Sequence, residues 1–229
     1  MTTNYTVKQG DYLSKIARAY GFADYQTIWD APENQKLKDR RKNPNILYPG
    51  DELVIPDKET KEESRPTEKR HKFELQGDKL MLRIVLLDLD KKPMSGCNCM
   101  LIVETDNKDF TTKSDGLLEE DISEKATTGK LLDKGKPGSG PPTVREIPLK
   151  IGHLDPKDTV SGQVARLNNL GYNAGELPYH PLTDIEADTL GKSPQFLSAV
   201  EEFQCDFGLQ VDGICGKNTQ AKLVEIHGC

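Results

Sequence analysis

Nowhere in the 229 residues does apolar sequence run long enough to cross a membrane. A spanning helix needs roughly 20 such residues, so no membrane insertion is expected. Basic charge is also short: Lys and Arg number 31 against 37 Asp and Glu, a net charge of -6. That balance argues against nucleic acid and anionic lipid as partners. The four histidines, His71, His153, His180 and His227, are scattered, with none in an HExxH spacing. No Gly-rich phosphate loop occurs. We therefore expect no metal, no cofactor and no catalytic centre. The paired carboxylates Asp88 and Asp90 read as a solvated turn entry, and the terminal "IHGC" lacks any following Arg.

The opening residues, "MTTNYTVKQGD", carry no basic stretch leading into an apolar one. The expectation is a protein that is cytoplasmic as synthesised and reaches the periplasm or a target cell through a specialised secretion system. The five cysteines, an odd number, point to reduced thiols. A disulfide between Cys205 and Cys215 stays open for the exported state, since it would clip one helix to the next turn. Cys97 and Cys99 are one residue apart, which on a strand places both on one face. Packing accounts for them.

Two seams divide the chain. Residues 57–72, "DKETKEESRPTEKRHK", are nearly all charged or polar and read as a solvated linker. Residues 133–143, "DKGKPGSGPPT", read as a long loop, because "VREIPLKIG" behind them has the look of one more strand.

Three patterns follow one another along the chain. In residues 1–56, Tyr5-Thr6-Val7 forms a strand and Asp11 stands where a helix cap belongs. Leu13, Ile16, Ala17 and Tyr20 then follow the helical period until Gly21 stops it. A short helix around Tyr25 to Ala31, a polar insertion and a closing strand from Glu52 to Ile55 complete a strand–helix–helix–strand order. Residues 73–153 alternate as strands, with turns expected at Lys91-Lys92-Pro93, Asp106-Asn107 and Ser114-Asp115-Gly116. From 154 to 229 the helical period returns. Ser193 caps, Pro194 takes the first helical position, and Phe196, Ala199, Val200, Phe203 and Phe207 make one apolar stripe. The fold class is multidomain α+β: a βααβ module, a small antiparallel β-sandwich and a three-helix domain.

"YTVKQGDYLSKIARAYG" followed by "NPNILYPGDELVIP" resembles a LysM domain, a module that binds the N-acetylglucosamine backbone of peptidoglycan or chitin. The stretch "APENQKLKDRRK" is longer and more basic than that pattern. "VARLNNLGYNAG" with "AVEEFQCDFGLQVDGICGKNTQAKL" resembles a peptidoglycan-binding three-helix domain, with an insertion over roughly 178–192. The middle segment, through "KPMSGCNCMLIVE" and "TTKSDGLLEEDI", is similar to transthyretin-like or carboxypeptidase-regulatory sandwiches. The order of the three resembles that of accessory proteins of type VI secretion spikes.

These likenesses imply a site. Glycan binding would fall on Gly10, Asp11, Tyr12 and Leu13 as one groove wall and on Asn43, Pro44, Asn45, Ile46 and Leu47 as the other. Gly10 lets backbone approach a sugar with no Cβ between. The alternative is that Gly10-Asp11 only caps a helix and Asn43 to Asn45 only turn. Trp29 is read as core and Tyr48 as either core or sugar contact. A second site is implied at Gln204, Asp212, Gly213 and Ile214, where the alternative is a pinned turn. Peptidoglycan is the expected partner, with a secretion spike or effector protein as the other.

Overall fold

The computed structural model describes residues 2–58, 64, 66–72, 80–123, 125–138 and 144–229. Residues 59–63, 65 and 139–143 of the two seams lie outside the described residues, as do 73–79 at the start of the expected sandwich. In chain order the elements begin β1 (Thr3–Thr6), α1 (Leu13–Ala19), α2 (Gln26–Trp29), α3 (Gln35–Arg41) and β2 (Glu52–Ile55). Then come β3 (Leu80–Val85), β4 (Asn98–Val103), β5 (Asp106–Thr111), β6 (Leu117–Ile122), β7 (Thr128–Asp133) and β8 (Arg145–Lys150). Last are α4 (Val160–Asn169), α5 (Asp184–Gly191), α6 (Pro194–Asp206) and α7 (Lys217–His227). The chain forms two compact units, one of Met1–Leu13, Ile28–Pro56 and Gly152–Cys229, the other of Ser14–Thr27 and Asp57–Ile151.

In the first unit, β1 and β2 pair antiparallel from Thr3 with Ile55 to Thr6 with Glu52. Asn34 serves the free side of β2: its Oδ1 accepts from Val54 N–H, while its Nδ2 donates to Val54 O and Ile28 O. A buried amide used this fully fixes the α2 end against the strand. Trp29 is buried, in agreement with its reading as core. The basic insertion is largely helical. A 3-10 turn at Pro32–Asn34 leads into α3, whose Leu37 is buried and whose last turn holds Lys38, Arg40 and Arg41.

The helices α4 to α7 of the same unit enclose Val164, Leu167, Phe196, Val200, Phe203 and Leu223. Thr159 caps α4 by accepting from Gly162 N–H, and Ser193 caps α6 by accepting from Phe196 N–H. Pro194 stands at the first turn of α6, as the sequence predicts. The expected three helices are four: the insertion holds α5, opened by a capping box between Thr183 and Glu186. Arg166 is almost wholly buried and donates to Cys229 O, Asp155 O and Gly162 O. Gly162 is required there, because a Cβ would fall 2.0 Å from Pro156 O.

In the second unit, α1 buries Ile16 and Ala17 and ends through Gly21 at positive φ. The strands make two antiparallel sheets, β3-β6 and β5-β4-β7-β8. Leu118 of β6 and Cys99, Leu101 and Val103 of β4 belong to one core cluster, so the sheets share a core as a sandwich does. Cys97 and Cys99 are both buried in it, and burial pushes the Cys99 thiol up to about 11. The turn expected at Asp106-Asn107 is instead the start of β5. Val103 pairs with Asp106, which leaves Glu104-Thr105 as the turn, with Glu104 at φ 54°.

One titration follows from this packing. Burial, with Arg166 nearby, holds the His227 imidazole down at about 4, with Asn169 Nδ2 3.0 Å from Nε2 and Cys229 Sγ 3.3 Å from Nδ1. An unfolded His titrates near 6.5, so unfolding takes up a proton between those values. The stabilisation is full above about pH 6.5 and is lost as pH falls toward 4. Partial exposure limits the loss to about 1–2 kcal/mol. Urea midpoints followed by circular dichroism should fall from pH 7 to 4.5, and His227→Leu should flatten that fall.

Candidate functional site

The stretches that flank the two expected walls are paired. Pairing of β1 with β2 continues past the strands, since Val7 N–H donates to Asp51 O and Gly50 N–H donates to Val7 O. The turn at Lys8–Asp11 is thereby fixed beside the loop 43–51. Within that turn, Asp11 Oδ2 accepts from Lys8 N–H at 2.9 Å and from Tyr5 OH at 2.6 Å. Its carboxylate thus locks the strand exit. Gly10 has φ 79°, which a side chain would strain.

The opposite loop is built on Asn43 and Asp51. Asn43 Oδ1 accepts from Asn45 N–H, and Ile46 N–H donates to Asn43 O, a local turn that leaves Asn45 exposed. Ile46 and Leu47 are buried, as are Tyr12 and Leu13. Asp51, only 3% exposed, accepts from Arg40 Nη2, from Arg41 Nε and Nη2, and from Tyr48 N–H. Arg41 stacks over the Tyr48 ring at 5.6 Å. The Asp51 hydrogen bond raises the Arg41 pKa, and burial followed by the Asp155 carboxylate raises that of Tyr48. Tyr48 is held by the protein itself. The sequence reading missed this clamp, although "KDRR" ahead of "PGDE" was its signal.

The turn is not bare. Gly152, at φ 76°, lies against it: a Cβ there would meet Tyr12 Cδ1 at 2.6 Å and Gly10 O at 3.1 Å. The His153 ring follows. Its Nε2 would stand 3.1 Å from any Cβ on Gly10, and its Nδ1 is 3.4 Å from Gln9 Nε2. The expected open trough is therefore covered at its Gly10 end by the protein's own chain. Gln9 Oε1 is buried and accepts no hydrogen bond among the described residues. An orphaned acceptor of this kind costs about 1–3 kcal/mol.

The second site resolves differently. Gln204 is 1% exposed. Its Nε2 donates to Asp212 Oδ1, Ile214 O and Thr219 Oγ1, and its Oε1 accepts from Asp212 N–H and Gly213 N–H. The amide is spent on the turn and on Thr219 of α7, so Gln204 is a pin beneath the turn. Asp212 and Ile214 are exposed above, and hydrogen bonds from Ile214 N–H and Gln204 lower the Asp212 pKa. Cys205 and Cys215 are separate thiols, and no disulfide joins them. Cys205 faces solvent from α6 whereas Cys215 packs on the helical core, where burial pushes its thiol up to about 12.

Among the described residues, no cluster of three or more His, Cys, Asp or Glu side chains could hold a metal ion. No described helix is long and apolar enough to cross a membrane. Residues 5–56 match the family model of the LysM domain, and residues 163–223 match that of a putative peptidoglycan binding domain. The first match takes in both loops and the second takes in the Gln204 turn. Both families are binding modules. No curated protein and no solved structure matches the chain.

Two substitutions separate scaffold from surface. Asp51→Ala leaves Arg41 buried without its carboxylate and should cost about 3–5 kcal/mol, measured by urea denaturation. Gln204→Ala should cost about 2–3 kcal/mol, whereas Ile214→Ala, at an exposed site, should stay within about 0.5 kcal/mol.

Proposed function

We propose that this chain binds bacterial peptidoglycan without catalysing its turnover. The two family matches at opposite ends of the chain carry this reading, and in it the loops of residues 10–13 and 43–47 supply the LysM contact. The chemistry is suited to a neutral amino-sugar polymer. Asn45 presents an exposed amide, and the Gly10 turn would present backbone once the chain at Gly152 and His153 moves aside. The exposed rim over Gln204, with Asp212 and Ile214, offers the second contact. In this reading the protein travels as an accessory or cargo of a secretion or injection system and acts in the periplasm or in a target cell.

A second reading draws on the covered Gly10 turn. There the modules are docking scaffolds, and the partner is a secretion spike, an effector toxin or its cognate immunity protein, with no wall contact.

Sedimentation with purified sacculi tests the first reading. The intact chain should pellet with an affinity on the order of micromolar to millimolar, and chitin oligosaccharides should compete. Asn43→Ala combined with Asn45→Ala should lower the bound fraction about fivefold or more. A chain that stays in the supernatant at every sacculus concentration, while capturing a spike or toxin protein from its source cells, would establish the second reading instead.

A further inference from the structure

Gly152 and His153 belong to the stretch of chain that leads into the Thr159 cap of α4. We infer that they form a strap that closes the LysM groove in cis, so that wall binding requires its displacement. This rests on the peptidoglycan reading above and concerns the regulation of that same site.

Three observations carry it. First, the strap sits on the residues the glycan would use. Gly152 approaches Tyr12 and the Gly10 carbonyl so closely that only glycine fits, and the His153 ring stands over Gly10. A sugar ring and this imidazole cannot both lie there. Second, the docked strap is imperfectly satisfied. It leaves Gln9 Oε1 buried without a donor among the described residues. A glycan brings hydroxyl and acetamido N–H donors, so a ligand replacing the strap can supply what the strap lacks. Third, the strap is anchored behind the groove. Arg166 holds the Asp155 carbonyl, and Gly162 packs on the Asp155 and Pro156 carbonyls. The Asp155 side chain is also buried, and its carboxylate faces His153, Arg166 and Arg41, with Ser161 donating to it. Displacement can thus be confined to residues 152 and 153 while the segment behind stays in place.

Two variants of the full chain test the strap. His153→Ala removes the ring without straining the backbone. Gly152→Ala drives a Cβ into Tyr12 and the Gly10 carbonyl. Both should bind sacculi about tenfold more tightly than the unaltered chain, because a binding-competent form no longer has to be selected. Amide exchange at Gly10 to Tyr12 should speed up in both, with the helical circular dichroism unchanged. If both variants and the unaltered chain bind sacculi equally, the strap is overturned and wall binding stands. If none of the three sediments, the peptidoglycan reading fails and the strap inference with it. A gain confined to Gly152→Ala, with exchange spread over the whole chain, would mark general loosening and would also overturn the strap.

Discussion

A buried carboxylate organises the N-terminal module. Asp51 sits at the end of the β1–β2 pairing, where its carbonyl takes the Val7 N–H and its side chain takes two arginines and the Tyr48 amide. Backbone pairing alone would bring residue 7 beside residue 51. It would not set the course of the loop between α3 and β2. The side-chain bonds do that: they tie the C-terminal turn of α3 to the strand entrance, and the loop 43–47 is held between those two fixed points. A carboxylate so thoroughly removed from water is tolerable only with cationic donors around it. That requirement is met by Arg40 and Arg41, near the end of the basic insertion.

Strongly periodic features could be read from the residues. The α6 stripe, its Ser193 cap and Pro194, and the closing strand over Glu52–Ile55 all appear where pattern and capping chemistry place them. Elements with weak periodicity were missed. The α3 helix contributes one buried residue, Leu37, among charged neighbours, so its apolar signal is nearly absent. The same holds for β5, "DNKDFT", a sheet-edge strand whose outer positions are solvated. Its composition resembles a turn, and only pairing with β4 reveals the strand.

The candidate loops could be found in the sequence because each carries its own turn chemistry. Their surroundings could not. His153 lies 143 positions beyond Gly10, between the sandwich and the helices, and nothing local to it signals a partner. Gln204 shows the converse. Its position in a familiar pattern made it a ligand candidate, yet its amide is spent within the fold. Pattern membership identifies residues that matter; burial decides whether they matter to the ligand or to the turn.

The grouping of both terminal segments in one unit bears on how two wall contacts, as proposed, would combine. Two modules on a flexible chain act at an effective concentration set by chain statistics. Modules that pack in one unit act with a spacing set by side chains, which favours a ligand of matching geometry and penalises any other. The strap adds a conformational condition. If the open form is a fraction f of the population, the apparent dissociation constant of the LysM contact is the intrinsic one divided by f. A first contact made by the helical segment on the same sacculus does not change f by proximity alone, because proximity favours neither form. It changes f only if it also moves the Asp155–Gly162 anchor. The buried Arg166, which ties that anchor to the carbonyl of Cys229, is the connection through which such movement would have to pass.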